Sequence, residues 1–220
     1  MMGKGSRQET FFVVIMHPVS CIGFLPLTIA EAILYASGQL AAAEIQTARL
    51  DTEVLLAHVL GKDRVWLITH NHDSLDSVAE KRFEQVIRRR RSREPLQYIT
   101  GNQEFWGLDF AVTPAVLIPR PETELLVESA ARIGRGTDKV ALVDLCTGSG
   151  CIAVSLAKEL VDARIFATDM SGQALAVARE NARRHGVADR IRFFEGDLFG
   201  TGAPAAMLDH GRIATSGSPG

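Results

Sequence analysis

From Val140 onward the chain alternates between two hydrophobic periods, and that alternation leaves few folds open. The runs "VALVDL", "RIFATD" and "IRFFEG" are short, apolar and rich in β-branched or aromatic residues. Between them lie "CIAVSLAKEL" and "SGQALAVARENARRHG", whose apolar residues recur at helical spacing. Strand, helix, strand, helix, strand in that order predicts a parallel sheet covered by helices, with a ligand crevice at the carboxyl ends of the strands.

The first strand breaks into "CTGSGC" before the helix resumes. A glycine-rich turn of this kind suits a nucleoside triphosphate, a dinucleotide or S-adenosylmethionine. A triphosphate loop needs a lysine followed by Ser or Thr after its last glycine, and Cys151 and Ile152 stand there instead. A dinucleotide loop fits better, since Gly148, Gly150 and Ala153 satisfy G-x-G-x-x-A and Asp169 follows at the spacing of a ribose ligand. Asp144 favours the third ligand. A carboxylate just before the loop repels a pyrophosphate, whereas it attracts the ammonium and sulfonium of S-adenosylmethionine.

On that reading the backbone from Thr147 to Gly150 lets the methionine end approach closely, because side chains at Gly148 and Gly150 would obstruct it. Asp169 accepts the ribose hydroxyl protons, and Asp197 with Leu198 in "EGDLF" lies beside the adenine. Three acids therefore stand at three successive strand ends.

Upstream, the pattern is helical. "TIAE" offers a capping box of Thr28 and Glu31, and Ser77 with Glu80 offers a second. Leu50, Val54, Ala57 and Leu60 recur at helical spacing, and Gly61 supplies a stop. Residues 28–93 thus read as a small all-helical, substrate-positioning domain. The run Arg88–Arg91 with Arg93 could face RNA or an acidic partner, although a solvated helix end, where cations complement the dipole, is the simpler reading.

Residues 94–120 carry aromatic residues alternating with polar ones around Gly107, which predicts a short hairpin or an extended linker. Pro121 suits the first turn of a helix whose positive end Glu122 and Glu124 complement. Residues 121–199 are then the cofactor-binding part, and residues 200–220, rich in Gly, Ala, Ser and Pro, read as a flexible tail.

A net charge of -2 and a hydrophobic fraction of 46% describe an ordinary globular chain, not one that coats nucleic acid. Three cysteines without paired spacing imply neither a disulfide framework nor a zinc site, and a reducing cytoplasm is the default location. His70 and His72 read as a polar loop. Residues 1–27 form an extension that faintly imitates a signal peptide, but His17 and Pro18 interrupt its apolar stretch, which is too short to span a membrane.

The segment "PLQYITGNQEFWGLDFAVTPAVLIPRPETELLVE", followed by "VDLCTGSGCIAVSLA" and "ATDMSGQALAVARENARRHG", resembles the bacterial release factor glutamine methyltransferases, the PrmC/HemK family. The likeness runs from about Thr28 to Phe199. It implies an N-terminal helical bundle plus an incomplete Rossmann-like class I S-adenosylmethionine-dependent methyltransferase domain in the α/β class. It further implies methyl transfer to the side-chain amide nitrogen of the glutamine in the Gly-Gly-Gln loop of peptide chain release factors, without direct contact to nucleic acid or membrane. Carried over by motif, Asp144, Cys146, Thr147, Gly148, Ser149, Gly150, Asp169 and Leu198 would bind the cofactor. Cys146 departs from the glycine usual there.

In this family an Asn-Pro-Pro-Tyr motif after the fourth strand orients the glutamine amide. Here "GDLF" is followed by "GTGAPAAMLDHGRIATSGSPG", which contains neither that motif nor an aromatic residue, so no catalytic residue is assigned. The expectation is a truncated or frameshifted member of the family with the first strand's apolar edge unpaired. The alternative is a noncatalytic fragment that keeps cofactor or release-factor contacts.

Overall fold

A computed structural model describes residues 27–137 and 140–197 of the chain. Residues 1–26, the tail from 200 onward and Leu198 lie outside the described residues.

Five helices come first: α1 (Ile29–Ala42), α2 (Ala48–Leu60), α3 (Arg64–Thr69), α4 (Ser77–Arg91) and α5 (Leu96–Thr100). The Thr28–Glu31 capping box forms at the start of α1, with Glu31 accepting from both the Thr28 amide and hydroxyl. Those bonds hold the Glu31 carboxyl below its usual range. Gly61 ends α2 in the left-handed conformation at φ 62°.

Two local expectations are corrected. The cap of α4 is Asp76, whose Oδ1 accepts from the amides of Val78 and Ala79 at 2.8 Å, and Ser77 is already the first helical residue. A carboxylate at this position also complements the helix dipole, which a serine does not. The second concerns α2, which forms where the spacing predicts a helix and turns Ala48, Asp51, Thr52, Leu55, Leu56 and Ala57 inward, whereas Leu50 is 44% exposed. The inner face includes a charged residue, so hydrophobic spacing finds the helix but only part of that face, through Ala57.

Leu40, Leu55 and Leu56 are fully enclosed in the helical core, each worth roughly 1.5–3 kcal/mol of burial. Asp51 is tolerated there because Arg90 reaches it from α4, its Nε 2.7 Å from Oδ2. The other arginines of the run also engage their own chain: Arg88 with Glu84, Arg89 with Glu94, Arg91 with Gln39, and Arg93 with Glu44 and the Ala43 carbonyl. His70 stacks on Trp66 with ring centroids 4.2 Å apart.

A hairpin follows, β1 (Asn102–Phe105) antiparallel to β2 (Leu108–Ala111). Trp106 and Gly107 form its two-residue turn at φ 55° and 67°, the pair of positive values that a type I′ turn requires. Trp106 accepts this conformation because both of its N–H groups are held. The backbone amide donates to Glu124 at 2.8 Å and the indole donates to Glu159 at 3.0 Å. Pro121 opens a single 3-10 turn that leads into α6 (Glu124–Arg135).

The α/β part comprises β3 (Ala141–Leu145), α7 (Cys151–Glu159), β4 (Arg164–Asp169), α8 (Gly172–Arg184) and β5 (Ile191–Glu195). The strands are parallel in the order β3-β4-β5, with Val143 opposite Phe166 and Phe166 opposite Arg192. Among the described residues β3 pairs on one side only. Its helices pack a second core in which Phe105 and Phe110 of the hairpin join Val127, Val154 and Ile165. No helix of the described residues is long and apolar enough to cross a membrane.

Candidate functional site

The site is the loop from Cys146 to Gly150, which carries the chain from the end of β3 into α7. Its amides are held at both flanks: the Thr147 amide donates to the Thr168 carbonyl of β4, and the Gly150 amide donates back to the Thr147 carbonyl, both at 2.8 Å. Three of its five residues stand at positive φ: Cys146 at 59°, Gly148 at 57° and Gly150 at 80°.

The two glycines serve different purposes. A Cβ on Gly148 would meet nothing nearer than the Cys146 carbonyl at 4.0 Å, so this position opens outward. A Cβ on Gly150 would lie 3.0 Å from the Cβ of Ala178 and 3.2 Å from its Cα. Gly150 is therefore required by the close approach of α8. Cys146 is exposed and in the left-handed region, where a β-carbon costs about 1–2 kcal/mol and a glycine would sit freely.

The three strand-end acids, alike in the sequence, occupy three environments. Asp144 is buried at 8% exposure, and its Oδ2 accepts from the Thr147 hydroxyl at 2.6 Å and the Ala153 amide at 3.2 Å. Because α7 begins at a glycine with no side-chain cap of its own, this carboxylate from the preceding strand supplies one. Burial pushes Asp144 up to about 6, against the pull of the Thr147 and Ala153 hydrogen bonds, and the nearby Asp169 charge adds to the rise. Sequence reasoning set Asp144 beside a ligand as a countercharge; the structure turns its Oδ2 into the loop.

Asp169 is half-buried at the end of β4. Its Oδ2 accepts from the Gly148 amide and its Oδ1 from the Ser171 amide, each at 2.9 Å. A carboxylate offers about four acceptor positions, so each oxygen retains acceptor capacity. Asp197 follows β5 and is exposed. Thr147 and Ser149 are buried and face the interior of the loop. Cys146, Thr147, Gly148, Ser149, Gly150, Asp144 and Asp169 are thus brought together, while Leu198 is beyond the described residues.

One residue that sequence reasoning missed organises the neighbourhood. Asn181, in the middle of α8 and fully buried, accepts from the Ala111 amide at 2.7 Å. Its Nδ2 donates to the Ala111 carbonyl at 3.0 Å and the Ser149 carbonyl at 2.8 Å. A single amide thereby joins hairpin, helix and glycine loop. The signal was an asparagine, a poor helix former, between the apolar positions Ala178 and Ala182.

Among the described residues, no group of three or more His, Cys, Asp or Glu side chains converges as a metal site. A helical N-terminal region followed by a parallel sheet, with a glycine loop after its first strand and an acid ending its second, is the arrangement of a class I S-adenosylmethionine-dependent methyltransferase domain, and the methyltransferase domain match separates it from a dinucleotide-binding one, which shares the loop and the acid. Residues 142–212 match the methyltransferase domain model, and residues 31–101 match the model of the PrmC N-terminal domain.

Curated relatives align with most of the chain. The release factor glutamine methyltransferase of Moorella thermoacetica is 42% identical over 198 residues, covering 88% of this chain and 70% of the relative. That of Geobacter sulfurreducens is 46% identical over 172 residues, covering 78% of this chain and 59% of the relative. The one from Nitratidesulfovibrio vulgaris is 44% identical, covering 78% and 58%. The chain belongs to the release factor glutamine methyltransferase family, and it spans between 58% and 70% of the length of these relatives.

Proposed function

We propose that this chain provides the cofactor-holding and substrate-positioning parts of an enzyme that methylates the side-chain amide nitrogen of the glutamine in the Gly-Gly-Gln loop of peptide chain release factors. The observation that carries the cofactor half is the juncture of Asp169 and Gly148. A half-exposed carboxylate with spare lone pairs is fixed by the backbone amide of the loop glycine that opens outward. That arrangement fits a ribose diol on Asp169 with the methionine end along Gly148. Asp144 would shape the loop from beneath.

S-adenosylmethionine supplies a methyl group on a sulfonium. The glutamine amide nitrogen forms a bond to that methyl carbon as the carbon–sulfur bond breaks; the sulfur takes the electron pair and the nitrogen releases one proton. Because the amide lone pair is delocalised, the glutamine must be gripped in a geometry ready for attack. The Asn-Pro-Pro-Tyr motif that would do this in the family does not occur in the 220 residues. The division of labour follows: these residues bind the cofactor, and transfer requires an amide-gripping element in addition.

Titration of the 220-residue chain with S-adenosylhomocysteine tests the first half. Saturable binding is expected, weakened roughly 10–100-fold by Asp169→Asn, the loss of hydrogen bonds to a charged acceptor. Saturation by NADH in its place would defeat the cofactor assignment. A labelled-methyl assay on purified release factor tests the second half: no labelling is expected from this chain by itself, and stoichiometric labelling would overturn the division proposed.

A further inference from the structure

A glycine loop and a strand-end acid serve several adenosine-bearing cofactors alike, so selection among them needs a further group in the crevice. Asp144 is not that group, because its Oδ2 is taken up inside the loop by Thr147 and Ala153. The charge that meets a ligand has to come from carboxylates at the open ends of the strands.

Glu195 is placed for this. It ends β5 in register with Asp169, which ends β4, and the Gly196 amide donates to the Asp169 carbonyl at 3.0 Å, so the ladder fixes the two strand ends side by side. Neighbouring strands lie about 4.8 Å apart, and alternate residues of a strand share a face. Ile165 and Ala167 before Asp169, and Ile191 and Phe193 before Glu195, pack in the core beneath the helices. Both carboxylates therefore stand on the side of the sheet that α8 covers. Asp169 is held by the Gly148 and Ser171 amides. Glu195 is exposed, and among the described residues no hydrogen bond or ion pair engages its carboxylate.

That carboxylate rests against the start of α8. Its Oε2 and Oε1 lie 3.0 and 3.3 Å from the point that a Cβ on Gly172 would occupy, and Gly172 is the first residue of the helix. The positive end of a helix draws phosphate groups. Here the chain's own carboxylate takes the place that a phosphate would seek. A ribose hydroxyl can donate to Asp169, whereas a phosphate on the same oxygen brings about two negative charges against two carboxylates.

We propose that Glu195 is a specificity-determining residue of the cofactor crevice, which admits an adenosyl group with a free ribose diol and rejects one that carries a phosphate on either hydroxyl. The proposal rests on the reading of Asp169 as the ribose ligand and adds a neighbouring carboxylate that excludes without gripping.

Competition of adenosine and of adenosine 2′-monophosphate against S-adenosylhomocysteine on the 220-residue chain tests it. The parent should bind adenosine about 10-fold more tightly than its phosphate, the order of repulsion expected between a phosphate and carboxylates several ångströms away in water. Glu195→Gln should close most of that gap, make the remainder less sensitive to salt, and leave the affinity for S-adenosylhomocysteine in place. An unchanged gap in Glu195→Gln, with S-adenosylhomocysteine still bound, would overturn the role of Glu195 alone. So would an equal loss of affinity for adenosine and its phosphate, which would make Glu195 a ribose ligand. Failure of the parent to bind S-adenosylhomocysteine would defeat the cofactor reading, and this inference with it.

Discussion

Asp51 in the helical part and Asp144 in the α/β part are buried to nearly the same depth, at 4% and 8% exposure, yet they are held in opposite ways. Asp51 has a guanidinium, Arg90, at 2.7 Å. Among the described residues Asp144 has no cation, only a hydroxyl and the amide of a helix start. Burial therefore does not by itself decide what a carboxylate does. The first is half of an ion pair that fixes α2 to α4; the second caps α7, shapes a loop and is pushed up to about 6 by burial.

The largest expected effect breaks the paired side. Arg90→Ala leaves the Asp51 charge buried without compensation and should destabilise by about 3–5 kcal/mol in urea unfolding. Arg88→Ala, which removes an exposed pair with Glu84, should cost no more than about 1 kcal/mol. Equal effects would show that the arginine run acts as a diffuse charge and not through one buried contact.

On the other side, Asn181→Leu strands the Ala111 amide and carbonyl and the Ser149 carbonyl and should cost about 3 kcal/mol, at roughly 1 for each stranded group. Hydrogen exchange should then quicken in the hairpin and the glycine loop together. Exchange confined to α8 would mean that the three elements are not joined through this amide.

The pH response sharpens the contrast. The folded value of Asp144, about 6, lies above its ordinary 3.8, so the native state holds more protons than the unfolded chain between those values. Stability from this group is thus greatest at low pH and falls as pH rises from about 4 to 6, by an amount on the order of 3 kcal/mol. Glu53 behaves oppositely. Its hydrogen bond from Arg64 holds it below 4.5, so its contribution is present above that pH and lost as pH falls. Asp144→Asn should abolish the decline between pH 4 and 6, read as a flat urea midpoint, and leave the loss at lower pH in place. Persistence of the decline would assign it to another group.

The smallest effect is local. Cys146→Gly relieves a left-handed β-carbon and should stabilise by about 1 kcal/mol or less, because glycine's greater freedom in the unfolded chain offsets part of the gain. A loss of stability would mean that the Cys146 side chain contributes a contact larger than the strain.

Much of this protein was settled locally and so could be read from the sequence. The alternation of strand and helix from Val140 to Gly196, the position of the glycine loop, the Thr28–Glu31 box and the stop at Gly61 each depend on residues within a few positions of one another. What tertiary structure decided lies across longer separations. Arg90 finds Asp51 from 39 residues away, and Asn181 finds Ala111 from 70. No window of sequence contains both partners of either contact. For the same reason the sequence presents Asp144, Asp169 and Asp197 as equivalent strand ends, and only packing separates them. Helix α7 and Thr147 close over the first, the Gly148 and Ser171 amides hold the half-buried second, and the third is exposed.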